Sequence, residues 1–193
     1  PYIVNWRLTR VGAVSDGMPR ITVPYEAFPG SIGVLPGEPE IKKWKAREAD
    51  LIGAGGVALG PSPGGAKPSA VCGQTGTHKD DCLRTIPPRE NGGNMDVQQQ
   101  QIGTKIIFPC FIDGCGLFVG DVHYAQGDGE VSGTAIEMGS VVTLRVRILP
   151  GRGRGMDMPV TIGNDQIIDM EPTRYYQTLG IPLKGKGEIP PSH

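Results

Sequence analysis

The sequence predicts a mainly β chain, with an antiparallel sandwich or barrel-like core, one or two short helices and long Gly/Pro-rich loops. Three observations predict it. The 193 residues include 30 glycines and 18 prolines, about a quarter of the total, which disfavours long helices and favours short strands joined by tight turns. Residues 141–148 (VVTLRVRI) alternate apolar and polar side chains with a period of two. A single window, 39–52, has the spacing and end chemistry of a helix. Hydrophobic residues make up 38%, charged residues 20%, and the net charge is −1, so no charge excess holds the chain open. The same balance argues against a nucleic-acid or anionic-membrane partner. No apolar run approaches the roughly 18–20 residues of a membrane span.

Each element follows in order. Tyr2–Leu8 is a weak strand. In the helix Pro39–Ile52, Pro39 suits an early position, Glu38 and Glu40 suit the positive end, and Ile41, Trp44 and Leu51 share a stripe. Residues 53–73 (GAGGVALGPSPGGAKPSAVCG) read as a long loop or lid without a phosphate-binding pattern. Gln98–Gln101 is a solvated strand or turn. Lys105–Phe111 and Gly116–His123 flank Asp113-Gly114, a favoured two-residue hairpin turn. In that register Ile112 faces Cys115 and Cys110 faces Leu117, placing both cysteines diagonally on one face. Val131–Glu137, Val141–Ile148, Pro159–Ile162 and Gln166–Met170 complete the strands. Residues 1–150 are read as one β-rich domain and 151–193 as an extended tail with a second small β segment. The four cysteines (Cys72, Cys82, Cys110, Cys115) form no CxxC pair and are too few for a disulfide scaffold. They are read as reduced, with a cytoplasmic location.

Candidate chemistry concentrates in 121–130, DVHYAQGDGE. On one strand Asp121 and His123 point to the same face, so an oxygen and an imidazole nitrogen can share a metal ion. The glycines of QGDGE permit a sharp reversal that brings Asp128 or Glu130 back toward them. Asp96, after Gly92-Gly93, is a candidate third ligand. Three protein ligands plus an open position is the pattern of catalytic zinc, and Glu130 or Glu137 is placed to shuttle a proton. Asn94, Gln126 and Asp128, interspersed with these residues, are the candidate substrate contacts. Spacing alone leaves a second reading equally open: Asp121, Asp128 and Glu130 as turn formers on a wet edge, with His123 hydrogen-bonded in the core.

The runs PPRENGGNMD (87–96) and FIDGCGLFVGDVHYAQGDGEVSGTAIEM (111–138) resemble the acetamidase/formamidase family. That family carries PPRE-x-GGN-x-D, then GD-x-H-x-x-QGDGE and a further Glu. The likeness is densest over 85–140 and extends more weakly to PGSIGVLPG (29–37) and the strand at 141–148. The resemblance implies hydrolysis of a short aliphatic amide to a carboxylate and ammonia, on a mostly β fold whose subunits associate. By position, Asp96, Asp121 and His123 match the metal ligands, and Glu130 and Glu137 the acidic residues beside them. The implied metal is a divalent ion, zinc first and calcium second. Family members are longer, so this chain, which starts at Pro1 without Met, is expected to be a processed fragment, a separate subunit or a shortened form. It would work as a homo-oligomer or with a second chain carrying the remaining segments.

Other candidates are weaker. Thr77–Asp81 (THKDD) reads as a solvated turn before it reads as a ligand set. A cysteine nucleophile, Cys110 or Cys115 with Lys105 and Glu130, has the residue types but no local signature. GxSxG does not occur. Trp6 and Trp44 are core or interface anchors. The rival from another class is a non-catalytic β-sandwich binding module in which QGDGE supplies oxygens to a structural calcium.

Overall fold

The computed structural model describes residues 3–53, 68–73, 75–131, 133–163 and 176–178. Among these the secondary structure is mostly antiparallel β with two helices. Strands β1 (Arg7–Leu8), β2 (Gly12–Ser15) and β3 (Met18–Pro24) form one sheet in that order. A four-stranded sheet has the order β5-β4-β7-β8, from β4 (Phe28–Val34), β5 (Gly92–Asn94), β7 (Leu117–Ala125) and β8 (Ile136–Glu137). The third sheet, β10-β9-β6, joins β6 (Lys105–Ile107) to β9 (Val160–Ile162) and β10 (Tyr176–Thr178). It thus unites residues on both sides of position 150. Helix α1 spans Glu38–Gly53 and α2 spans Ser69–Cys72.

β4 lies between β5 and β7; apart from Ser31 its residues are apolar or glycine, and five of the seven are buried. Glycines 30 and 33 let both neighbours approach closely. A Cβ on Gly33 would lie 2.5 Å from the Asn91 carbonyl oxygen. A small core of Ala13, Tyr124 and Ala125, flanked by Trp6, Val23, Ile136 and Met138, joins the first sheet to β7 and β8. The Tyr124 hydroxyl crosses it to donate to the Thr9 carbonyl at 2.8 Å.

α1 forms where the sequence places it, with Glu38 and Glu40 in its first turn. Its buried Trp44 meets Phe111 edge-on, ring centroids 6.0 Å apart. Glu48 on the same helix takes Arg84 Nη2 at 2.9 Å and Arg89 Nε at 2.8 Å. Arg89 Nη1 also donates to the Arg84 carbonyl at 2.8 Å. Neighbouring Glu90 receives both Nη atoms of Arg47, at 2.8 and 3.0 Å. The PPRE run is therefore a clamp holding α1 to the turn that enters β5.

Several expectations are corrected. The segment with the clearest alternation, Val141–Ile148, joins no ladder, and Val141 (95%), Val146 (65%) and Ile148 (64%) are solvent-exposed. Alternation describes one strand, whereas a ladder needs a second about 4.7–4.9 Å away, and none of the described residues supplies it. The hairpin of Lys105–Phe111 with Gly116–His123 does not form. The turn is present, with Cys115 N–H donating to Ile112 O at 3.1 Å. Its arms separate, however: β6 pairs with β9, and β7 lies between β4 and β8. β7 lies instead against β4, five of whose seven residues are buried.

The cysteines are not reduced. Cys72 pairs with Cys82 and Cys110 with Cys115, at Cα separations of 5.4 and 4.9 Å, within the range a disulfide accepts. Gln98–Gln101 is not wholly solvated, since Gln100 is buried and donates to Thr161 Oγ1 at 2.9 Å. Of Tyr2–Leu8 only Arg7–Leu8 forms a strand among the described residues, and Val131–Glu137 contracts to β8, with the Gly133 N–H donating to the Glu130 carbonyl at 2.7 Å. Most of the Gly-rich loop (54–67), the strand Gln166–Met170 and the final ten residues lie outside the described residues. Thr77–Asp81 is the exposed turn anticipated, with Lys45 Nζ capping the Lys79 carbonyl at 3.0 Å.

Candidate metal centre

The expected ligands meet over the middle of the four-stranded sheet. His123 lies directly across from Phe28 on β4 and Glu137 on β8. Its ring is fully buried, and Phe28 packs edge-on with centroids 5.1 Å apart. His123 Nε2 lies 3.4 Å from Asp121 Oδ1 and 3.8 Å from Asp96 Oδ1. Ligand atoms of Asp96, Asp121 and His123 all fall within 4.8 Å of one another. His123, Glu130 and Glu137 make a second, overlapping group within the same limit.

Strand periodicity alone does not produce this convergence. Asp96, Asp121 and Glu130 all take left-handed backbone angles, with φ of 51°, 53° and 48°. Such a conformation costs a non-glycine residue on the order of 1–3 kcal/mol and persists where the surroundings over-determine it. At Asp121 it redirects the chain within β7. At Glu130 it closes the turn after Gly129, itself at φ 66°. Gly92 and Gly93, at φ 90° and 98°, route the backbone from the Arg89 clamp into β5 and on to Asp96.

Neighbouring amides and hydroxyls aim these groups. Asn94 Nδ2 donates to Asp96 Oδ2 at 3.0 Å, and Ser31 Oγ donates to Asn94 Oδ1 at 2.9 Å. Ser31 Oγ also lies 3.4 Å from Asp121 Oδ2. Gln126 Oε1 is 2.9 Å from His123 Nδ1, and Gln126 Nε2 donates to the Asp96 carbonyl at 2.8 Å. Asp128 falls in neither cluster. It is exposed and accepts from Gln98 Nε2.

Burial first, then the negative charges of Glu130 and Asp121, raise the Asp96 carboxyl to about 7, a rise that a positive charge on His123 would oppose. Two buried atoms, His123 Nε2 and Asp96 Oδ1, have no hydrogen-bond partner. Beneath them is Gly30, where an added Cβ would lie 2.6 Å from His123 Nε2 and 2.8 Å from Asp96 Oδ1. One nitrogen and several carboxylate oxygens facing a space that a methyl would fill is a donor set suited to a divalent cation.

Gly30, Ser31 and the Glu48 clamp were not singled out from the sequence. A glycine inside a buried strand is a signal of close approach, and Gly30 carries that signal. The disulfides leave no free thiol among the cysteines, so Cys110 and Cys115 have no nucleophilic sulfur to offer.

Comparison with known proteins places the chain among its relatives. The model of the Acetamidase/Formamidase family matches residues 1–191. An acetamidase from Mycolicibacterium smegmatis is 34% identical over 160 residues, covering 78% of this chain and 39% of the relative. A formamidase from Methylophilus methylotrophus is 31% identical over 153 residues, covering 75% and 37%. The solved structure of a gamma lactamase from Delftia acidovorans superposes with a TM-score of 0.64 at 30% identity, covering 84% of this chain and 42% of that one. The chain thus spans about two fifths of the length of these relatives.

Proposed function

Because this chain belongs to the acetamidase/formamidase family, we propose that it hydrolyses a short aliphatic amide, of the formamide or acetamide type, to a carboxylate and ammonia. The observation that carries the reading is the fully buried His123, whose Nε2 has no partner and faces two carboxylates across Gly30. Asp96, Asp121 and His123 would hold a divalent cation, with zinc as first choice because an imidazole nitrogen belongs to the set. Such an ion would polarise an amide carbonyl and bring the pKa of water toward about 7.

The remaining steps belong to the chain's own residues. Glu130 or Glu137 accepts the proton that water gives up on attacking the carbonyl, then returns it to the departing nitrogen. Both glutamates have ligand atoms within 4.8 Å of a His123 ring nitrogen, so either can reach the site. Asn94 and Gln126 each give one amide N–H to Asp96 and have a second N–H to offer a substrate C=O, while the Asp128 carboxylate is assigned to its N–H. The test is ammonia release from formamide and acetamide, with and without chelator, for wild type and His123→Ala. Chelator-sensitive release that His123→Ala abolishes supports the reading, and undiminished release by metal-free protein removes the metal.

The rival, a binding module with structural calcium, predicts six to eight oxygen ligands at about 2.4 Å and no histidine. Zinc and calcium titrations against activity separate the two. The reading includes assembly, as a homo-oligomer or with a second chain carrying other family segments, and the exposed apolar residues of 141–148 support it. No helix among the described residues is long and apolar enough to cross a membrane. The cytoplasmic location expected from reduced thiols loses that argument with the disulfides, and thiol counting in extracts tests it.

A further inference from the structure

We infer that Gln126 is a positioning residue that fixes the proton of His123 on Nδ1 and leaves Nε2 with a bare lone pair. The inference follows from which groups are able to donate. The Asp96 backbone carbonyl can only accept, so the Gln126 atom 2.8 Å from it must be the amide nitrogen. The amide orientation is thereby set, and the atom 2.9 Å from His123 Nδ1 must be the amide oxygen. That oxygen also can only accept, so Nδ1 carries the hydrogen. A neutral imidazole has one N–H, which leaves Nε2 as an acceptor.

This bare nitrogen points at carboxylate oxygens 3.4 and 3.8 Å away, in a fully buried position, with no hydrogen-bond partner. Lone pair facing lone pair is unfavourable, and a cation between them reverses the sign. The same amide tethers the backbone of Asp96, a residue held at φ 51°. One side chain therefore orients two of the three candidate ligands, and Gln126 does so from the first turn after β7.

The inference deepens the metal reading above but does not depend on activity. The experiment is long-range 15N–1H NMR of the histidine rings in the metal-free full chain at pH 8, with His123 assigned through His123→Ala. The expected wild-type result is an Nδ1–H tautomer at His123. Gln126→Leu is expected to abolish that preference and to weaken zinc binding, measured by competition with a chromophoric chelator, by about 10–100-fold. Gln126→Glu keeps the acceptor for Nδ1 but sets an oxygen against the Asp96 carbonyl, so it is expected to keep the proton on Nδ1 while losing the tether on Asp96. An Nε2–H tautomer or an imidazolium in wild type overturns the inference, and so does a Gln126→Leu protein with unchanged tautomer and affinity. If Gln126→Leu does not fold, the wild-type spectrum decides. The Nδ1–H tautomer in a protein that binds no zinc supports this inference while removing the metal reading.

Discussion

β7 and the segment 141–148 are both strands by the sequence, and among the described residues only β7 pairs. β7 (LFVGDVHYA) is the less regular of the two: Gly120 and Asp121 interrupt it, and Asp121 sits at φ 53°. It is nevertheless hydrogen-bonded along both edges, to β4 and to β8. Residues 142–148 alternate apolar and polar side chains, yet 141–148 pair with nothing among the described residues. A strand is made by complementary neighbours, and β7 has them: the buried β4 on one side, and a tight turn returning β8 on the other. The irregularities that weaken β7 as a pattern are the ones that turn its side chains into a site.

The comparison can be broken or sharpened at four points. The largest effect is expected at the clamp that supports the β5 entry. Glu48→Gln leaves the buried Arg84 and Arg89 facing a neutral group, and a loss of about 3–5 kcal/mol is expected in urea unfolding. A loss under 1 kcal/mol would mean that the PPRE run does not hold the site region. Next is Gly30→Ala, whose methyl would sit 2.6 Å from His123 Nε2. It should cost about 1–3 kcal/mol by overpacking and abolish zinc binding. Retained zinc affinity at Gly30→Ala would deny that this glycine keeps the cation space open.

The third effect is a slope with pH. Asp96 is raised to about 7 from an ordinary value of 3.8, so the folded state holds its proton where the unfolded chain has released it. Metal-free protein should therefore lose stability as pH rises from about 4 to about 7 and level off above. Saturating zinc should flatten or reverse that slope, and thermal melts across pH check it. A metal-free protein that gains stability over that interval would contradict the burial assigned to Asp96. The smallest effect belongs to the unpaired segment. Val146→Thr should change the stability of the isolated chain by no more than about 0.5 kcal/mol, since the side chain is 65% exposed. A loss of 2 kcal/mol would show that 141–148 is paired in solution and end the contrast with β7.

Much of the site was legible in the sequence because its chemistry is carried by rare residue types. With three histidines in the chain, an Asp-x-His pair beside a glycine-rich acidic turn stands out, and its members do converge. Helix α1 was legible for a similar reason, since its end charges and Trp44 stripe are local features. The cysteines were misread because disulfide formation depends on Cα separation, which spacing of ten and five residues does not specify.

By itself the sequence determined the composition of the site, the turns that can bend sharply, and a mainly antiparallel β architecture. All of these follow from side-chain chemistry and backbone freedom within a few residues. The tertiary structure added which strand sits beside which, that Gly30 lies against His123 Nε2 and Asp96 Oδ1, that Gln126 bridges His123 and the Asp96 backbone, and that Glu48 ties α1 to the PPRE turn. The hydrogen bonds among these contacts join residues 30 to 90 positions apart in most cases. Their existence depends on shape and on hydrogen-bond direction in three dimensions, quantities that a one-dimensional pattern does not contain.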